Sequence, residues 1–102
     1  ELILTGDIIK AEEALRIGLV CRVVPAAELL DCARDLAGRI QKNAPLAVKY
    51  ARECIRQSEE LTLSAGIEYE NTMFGLCFAA PDQKEGMTAF LEKRAPLFQT
   101  GF

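Results

Sequence analysis

The positions of the prolines constrain the fold of this chain more than any other feature. Proline is incompatible with a helix interior, because it lacks a backbone N–H and clashes with the preceding turn. The prolines are Pro25, Pro45, Pro81 and Pro96. Between them, apolar residues recur at spacings of three and four, which is typical of amphipathic helices. The pattern predicts helices over 11–17, 27–42, 45–59 and 82–93, and a further helix that begins after a cap at Thr62 or Ser64 and reaches Phe78.

One segment alone has the composition of a β-strand. Residues 19–24, Leu-Val-Cys-Arg-Val-Val, are rich in β-branched side chains and end at Pro25. Gly18 precedes them and can adopt the left-handed conformation that ends a helix. The predicted fold class is mainly α, with at most one short strand near residues 19–24.

Composition and charge exclude several classes of function. The chain has 102 residues, of which 15 are acidic and 12 basic, and a formal charge of -3. A negative net charge argues against nucleic acid or an anionic membrane as a partner. Histidine is absent, which excludes Ser-His-Asp and Cys-His nucleophiles and histidine-containing zinc sites. No apolar run approaches the roughly 20 residues that a membrane-spanning helix needs.

The cysteines do not indicate a metal site. Cys21, Cys32, Cys54 and Cys77 form no C-x-x-C pair, and such pairs are the usual mark of zinc or iron–sulfur binding. Two disulfides are possible from their number alone. The apolar content is that of a chain that needs no disulfides to fold, so we expect buried, reduced thiols.

Residues 73–80 are eight consecutive non-polar residues, Met-Phe-Gly-Leu-Cys-Phe-Ala-Ala. Two turns of helix without a polar face must bury more than one side. A small helical domain has little room for an enclosed helix, so we expect part of this surface to contact another subunit or another part of a longer chain. The alternative is a central helix in a compact bundle.

Neighbouring carboxylates occur at Glu12–Glu13, Glu59–Glu60 and Glu68/Glu70. Adjacent residues on a helix point about 100° apart, so these groups do not converge as a general acid and base would. We interpret them as solvated helix charges and predict no catalytic residue and no metal ligand in this chain.

The last predicted helix carries one candidate binding pair. Phe90 and Lys93 are three residues apart, which places them on one helix face, and Arg94 adds positive charge. A purine can pack on an aromatic ring while a phosphate pairs with a lysine, so the pair suits a nucleotide. In the alternative interpretation Met87, Phe90 and Leu91 form a core stripe, and the two cations compensate the helix dipole.

Several short motifs follow one another in a specific order. They are L-T-G-D at 4–7, A-E-E-A at 11–14, G-L-V at 18–20, V-V-P at 23–25, N-A-P-L-A at 43–47, Asp82, E-G-M at 85–87 and A-F-L-E-K-R at 89–94. In this order and spacing the chain resembles the C-terminal part of the enoyl-CoA hydratases of the crotonase superfamily. Lys10 stands where relatives often carry a serine cap. Ala80 stands where Ser or Thr is common, which leaves Asp82 as the expected cap of the last helix.

The resemblance implies a division of labour along a longer protein. In that family a spiral of strands and helices supplies the oxyanion hole and two glutamates, so the catalytic groups are expected upstream of Glu1. Residues 1–24 would be the end of the spiral core. Residues 25–102 would be a helical oligomerisation domain that builds a trimer or hexamer.

The activity implied by the resemblance is that of an enoyl-CoA hydratase, a lyase that adds water across the 2,3 double bond of an acyl-CoA substrate without a separate cofactor. Family members often bind the adenine end of CoA through an aromatic residue and a lysine that correspond to Phe90 and Lys93. The alternatives are an enoyl-CoA isomerase, an acyl-CoA hydrolase, or a non-enzymatic helical interaction module. The expected compartment is cytoplasmic, with the mitochondrial matrix as the alternative.

Overall fold

The computed structural model describes residues 1–99, and this part of the chain is helical. The elements are α1 Leu2–Thr5, α2 Ala11–Arg16, a 3-10 turn Ala26–Glu28, α3 Leu29–Gln41, α4 Pro45–Gln57, α5 Leu63–Cys77 and α6 Pro81–Glu92. No strand occurs within the described residues. The mainly α fold class is confirmed, and every predicted helix is present.

The chain divides into two compact units, Glu1–Asp35 and Leu36–Phe102, with the division inside α3. α1 and α2 belong to the first unit and α4, α5 and α6 to the second, while α3 contributes residues to both. The assignment of residues 1–24 to a spiral core and of 25–102 to an oligomerisation domain stays a prediction.

In the first unit the chain turns at the end of α2. Gly18 has φ +77, the left-handed conformation that the sequence predicts. The backbone N–H groups of Leu19 and Val20 then donate to the carbonyl of Ala14 at 2.9 and 3.3 Å. Residues 19–24 form no strand in this structure, which is within the predicted limit of at most one short strand. A strand needs a neighbouring strand to complete its hydrogen bonds, and residues 1–99 offer none.

In the second unit α4 and α5 pack against each other. Pro45 occupies the first turn of α4 and is buried, as expected for a residue with preset φ and no N–H. The Thr62 hydroxyl accepts a hydrogen bond from the backbone N–H of Ala65 at 3.4 Å, which confirms Thr62 as the cap of α5. The helices end at Gln57 and Cys77, close to the predicted ends.

The N-terminal caps of α2 and α6 lack side-chain hydrogen bonds. Lys10 provides none for α2, as its side chain predicts. For α6 the predicted cap, Asp82, is wrong: Ala80 takes the extended cap conformation, with φ -88 and ψ 143. The carboxylate of Asp82 instead accepts a hydrogen bond from the backbone N–H of Gln99 at 2.8 Å. Tertiary contact with the C-terminal segment therefore outcompetes local capping.

Residues 1–99 enclose little apolar surface. Their buried apolar residues are Ala14, Pro45 and Ala89. Phe74 and Phe78 of the apolar run contact each other edge to face, with ring centroids 5.2 Å apart, yet Phe74 remains 64% exposed and Phe78 57%. The chain does not bury α5 as a central helix, so that alternative is wrong. We refer to Phe74 and Phe78, which lie four residues apart at the end of α5, as the open α5 face.

All four cysteines lie within the described residues and carry free thiols, which confirms the prediction that they are unpaired. Cys21 is exposed and the other three are half-buried. The prediction of burial is therefore wrong, because the chain encloses too small a core to cover them.

Candidate functional site

The end of α6 presents apolar side chains to the surface. Ala89 is 1% exposed and anchors the last turn, whereas Phe90 is 78% exposed. Met87 and Leu91 are also exposed. The alternative in which these three large residues form a core stripe is wrong for this chain. The Phe90 ring is available as a flat apolar surface.

Lys93 lies one residue beyond the end of α6. It adopts the left-handed conformation, with φ 55 and ψ 38, so helical spacing does not set the direction of its side chain. Its backbone N–H donates to the carbonyl of Phe90 at 3.3 Å, and the N–H of Arg94 donates to that of Ala89 at 3.0 Å. These bonds close the helix end in the pattern typical of a left-handed cap. Phe90 and Lys93 are therefore joined through the backbone of the last turn.

The Arg94 side chain folds back along α6. Its guanidinium donates from Nη1 and Nη2 to the two carboxylate oxygens of Glu85 at 2.6 and 3.0 Å. Nε donates to Glu92 at 2.6 Å. Glu85 also accepts from the backbone N–H of Leu97 at 2.7 Å. Since two carboxylates compensate its charge, Arg94 does not add the free positive charge that the sequence suggests.

The electrostatics of this network follow from those contacts. The Arg94 guanidinium, with a smaller contribution from the Leu97 N–H, lowers the pKa of Glu85 to about 2. The Glu85 and Glu92 carboxylates raise the pKa of Arg94. Sequence reasoning missed this pairing, because residues nine apart are not neighbours on a helix. They meet here because the chain turns at Lys93.

Lys93 differs from Arg94 in having no compensating acid. Within residues 1–99, no carboxylate lies within 4.0 Å of its ammonium. An exposed ring and an uncompensated ammonium thus stand at the same helix end. Chemically the pair can pack against a planar heterocycle and attract a phosphate, with no group placed for acid–base catalysis.

The other carboxylates are accounted for structurally or stand alone. Glu13 pairs with Arg16 at 2.6 Å, and this hydrogen bond lowers the pKa of Glu13. Across the described part of the chain, no cluster of three or more Cys, Asp or Glu could hold a metal ion.

None of the helices described is long and apolar enough to cross a membrane.

Two of the open grooves within the second unit are lined mainly by apolar side chains. The larger, about 420 Å³, runs between α4 and α5 past Tyr50, Cys54 and Phe74, with Glu70 as its one carboxylate. The smaller, about 270 Å³, includes Phe98 in its lining. Neither groove contains a pair of carboxylates for general acid and base roles.

These features define a helical segment that ends in an exposed aromatic ring and a lysine without an acidic partner. The model of the enoyl-CoA hydratase/isomerase family matches residues 1–101. The chain therefore belongs to the enoyl-CoA hydratase/isomerase family, and the resemblance seen in its motifs is confirmed.

Individual relatives agree with that assignment. The chain is 46% identical over 94 residues to a short-chain-enoyl-CoA hydratase of Clostridium acetobutylicum, covering 92% of this chain and 36% of the relative. It is 49% identical over 96 residues to a probable mitochondrial enoyl-CoA hydratase of Dictyostelium discoideum, covering 94% and 35%. The crystal structure of an enoyl-CoA hydratase from Bacillus anthracis superposes with a TM-score of 0.92 at 37% identity, covering 98% and 39%. The chain thus spans less than two fifths of each of these three relatives.

Proposed function

We propose that this chain is the assembly and adenosine-end-binding segment of an enoyl-CoA hydratase. The complete enzyme would add water across the 2,3 double bond of an enoyl-CoA thioester, without a separate cofactor. Membership of the family and the short-chain-enoyl-CoA hydratase relative support this activity. The catalytic groups would lie outside residues 1–99, which hold no convergent pair of carboxylates.

The observation that carries the binding role is the end of α6. Phe90 is 78% exposed, and the Lys93 ammonium lacks an acidic partner while Arg94 is occupied by two. The adenosine end of CoA offers a purine ring and phosphates, which match these two groups. The reacting thioester is a long pantetheine arm away, so the contact would serve binding and not chemistry.

The open α5 face supports the assembly role. Its two aromatic side chains contact each other and remain 57–64% exposed, and soluble proteins rarely leave contiguous apolar surface uncovered. We expect further copies of the subunit to cover it in a homo-oligomer, a trimer or hexamer in the complete enzyme. Cytoplasm is the expected compartment, and the mitochondrial relative supports the matrix as the alternative.

The second candidate activity is double-bond isomerisation. The family that matches the chain includes both hydratases and isomerases, and their discriminating carboxylates are expected outside this chain. Assaying the complete enzyme in water with crotonyl-CoA and, separately, with a 3-enoyl-CoA thioester distinguishes the two activities. Hydration at a steady rate supports the hydratase, and double-bond migration alone supports the isomerase.

Replacing Lys93 tests the binding role. In the complete enzyme, Lys93→Ala should raise KM for a CoA thioester about five- to tenfold and leave kcat unchanged. An exposed ammonium–phosphate contact is worth ~1 kcal/mol, and a contact made equally in ground and transition states affects KM alone. Phe90→Ala should also raise KM for the CoA thioester, since it removes the exposed ring on which the purine would pack.

The controls are a shorter substrate and a remote lysine. KM for the thioester truncated to pantetheine should not change in Lys93→Ala, because that substrate lacks the adenosine end. Lys49→Ala, an exposed lysine on α4, should leave both KM values unchanged. Equal weakening of both substrates by Lys93→Ala would contradict the adenosine-end role.

A further inference from the structure

The backbone conformation of Lys93 is unusual. Among residues 1–99 it is the one non-glycine residue with positive φ, at 55. A side chain with a Cβ is disfavoured in this region, where glycine is normally found. Such conformations persist only where surrounding contacts determine them, and they concentrate at sites that clamp ligands.

The contacts that hold this conformation come from the residues on either side. Arg94 is bound through its side chain to Glu85 and to Glu92, and through its backbone N–H to the carbonyl of Ala89. Glu85 lies seven residues before Glu92, two turns earlier on the same face of α6. The guanidinium spans both carboxylates, so the chain cannot continue as a helix through Lys93 without breaking these bonds.

The same contacts prevent Arg94 from competing with Lys93 for an anion, and they set the direction of the Lys93 side chain. Two carboxylates compensate the charge of Arg94, whose side chain is 37% exposed. The Lys93 ammonium is left without an acidic partner at the helix end that carries Phe90. If Glu85 were lost, Lys93 could relax to helical φ, and the helix would present its ammonium in another direction.

We propose that Glu85 is a positioning residue for Lys93: by binding Arg94 it holds Lys93 in the left-handed conformation that presents its ammonium to the adenosine end of CoA. This inference rests on the proposed binding role of Lys93. It assigns Glu85 and Arg94 an indirect part in substrate binding, without contact to the substrate.

A stability cycle tests the positioning without any ligand. In the complete protein, Lys93→Gly should raise the melting temperature by about 2–4 °C, the usual response of a chain of 150–250 residues to the relief of one unfavourable conformation. In a Glu85→Gln background that gain should disappear, because Lys93 has already relaxed. Glu53→Gln is the matched control: it breaks a similar Glu–Arg pair on α4, joined at 2.6 Å, and should leave the gain intact.

Substrate kinetics then test the consequence for binding. Glu85→Gln should raise KM for the CoA thioester by about the same five- to tenfold as Lys93→Ala, with kcat and KM for the pantetheine thioester unchanged. A residue that merely fastens the C-terminal segment would not separate the two substrates. Glu53→Gln should leave both KM values unchanged.

The outcomes distinguish the two hypotheses. The positioning role is overturned if Lys93→Gly does not raise the melting temperature of the otherwise wild-type protein. It is also overturned if Lys93→Gly raises the melting temperature equally in the wild-type and Glu85→Gln backgrounds. An unchanged KM for the CoA thioester in Glu85→Gln overturns it too when Lys93→Ala raises that KM. An unchanged KM in Lys93→Ala overturns the proposed binding role instead, and the stability cycle alone then decides whether Glu85 holds Lys93.

Discussion

Placing a charge on the open α5 face should prevent this chain from associating. Phe74 is 64% exposed, and complete burial of a phenylalanine contributes about 1.5–3 kcal/mol. Covering the exposed part in an oligomer therefore contributes about 1–2 kcal/mol for each copy. Phe74→Ala should weaken association about 5- to 30-fold for that reason.

Phe74→Asp should be more disruptive, because it also buries an unpaired carboxylate at a cost of several kcal/mol. We expect the dissociation constant to rise more than about 100-fold. Thr72→Asp is the matched control. Thr72 is exposed and two residues earlier on α5, which places it about 200° around the helix from Phe74.

Sedimentation equilibrium of the purified chain over a range of concentrations measures these effects. The wild-type chain and Thr72→Asp should self-associate, and Phe74→Asp should sediment as a monomer. A wild-type monomer at high concentration would refute the reasoning. Equal disruption by the two aspartates would show that added charge, and not the loss of a specific apolar contact, is responsible.

Three other results are expected. The purified chain should not hydrate crotonyl-CoA above a buffer control, since residues 1–99 hold no convergent carboxylate pair and the oxyanion hole that stabilises the enolate is expected upstream of Glu1; steady turnover would contradict the assignment of catalysis to other residues. Because the pKa of Glu85 is lowered from 4.5 to about 2, its bonds stabilise the fold fully above about pH 4.5. That contribution should be lost as pH falls toward 2, and melting curves of Glu85→Gln should lack this part of the pH dependence. Gly86→Ala should raise the free energy of unfolding measured in urea by about 0.5–1 kcal/mol, because glycine is unfavourable in a helix interior relative to alanine. The added Cβ would lie 3.5 Å from the Phe98 ring, an ordinary contact distance. A decrease in the free energy of unfolding would show that the Phe98 ring leaves no room for the methyl group.

The sequence predicts the helices well because their limits are local. Pro45 presets the first turn of α4, and Gly18 accepts the left-handed turn after α2. Residues 19–24 have the composition of a strand but form none among residues 1–99, because a strand depends on a partner that composition does not reveal. Likewise, the apolar run of α5 indicates that a surface is to be covered, but the pattern cannot say by which chain.

The candidate site was only partly predictable for the same reason. Phe90 and Lys93 stand out by residue type, but helical spacing extends α6 to Lys93, where the structure has a left-handed turn. Lysine is not a usual residue for that conformation. The bonds that enforce it join Glu85 and Arg94, nine residues apart, and a pair at that separation meets only after the chain has reversed.

The most direct test of the central claim is the affinity of the complete enzyme for adenosine 3′,5′-bisphosphate, which has the purine and phosphates of CoA without its pantetheine arm. Isothermal titration should give a dissociation constant about fivefold higher in Lys93→Ala than in the wild type, corresponding to ~1 kcal/mol. The difference should shrink as salt screens the exposed contact. Equal affinity of the two proteins at low salt would contradict an adenosine-end site at Phe90 and Lys93.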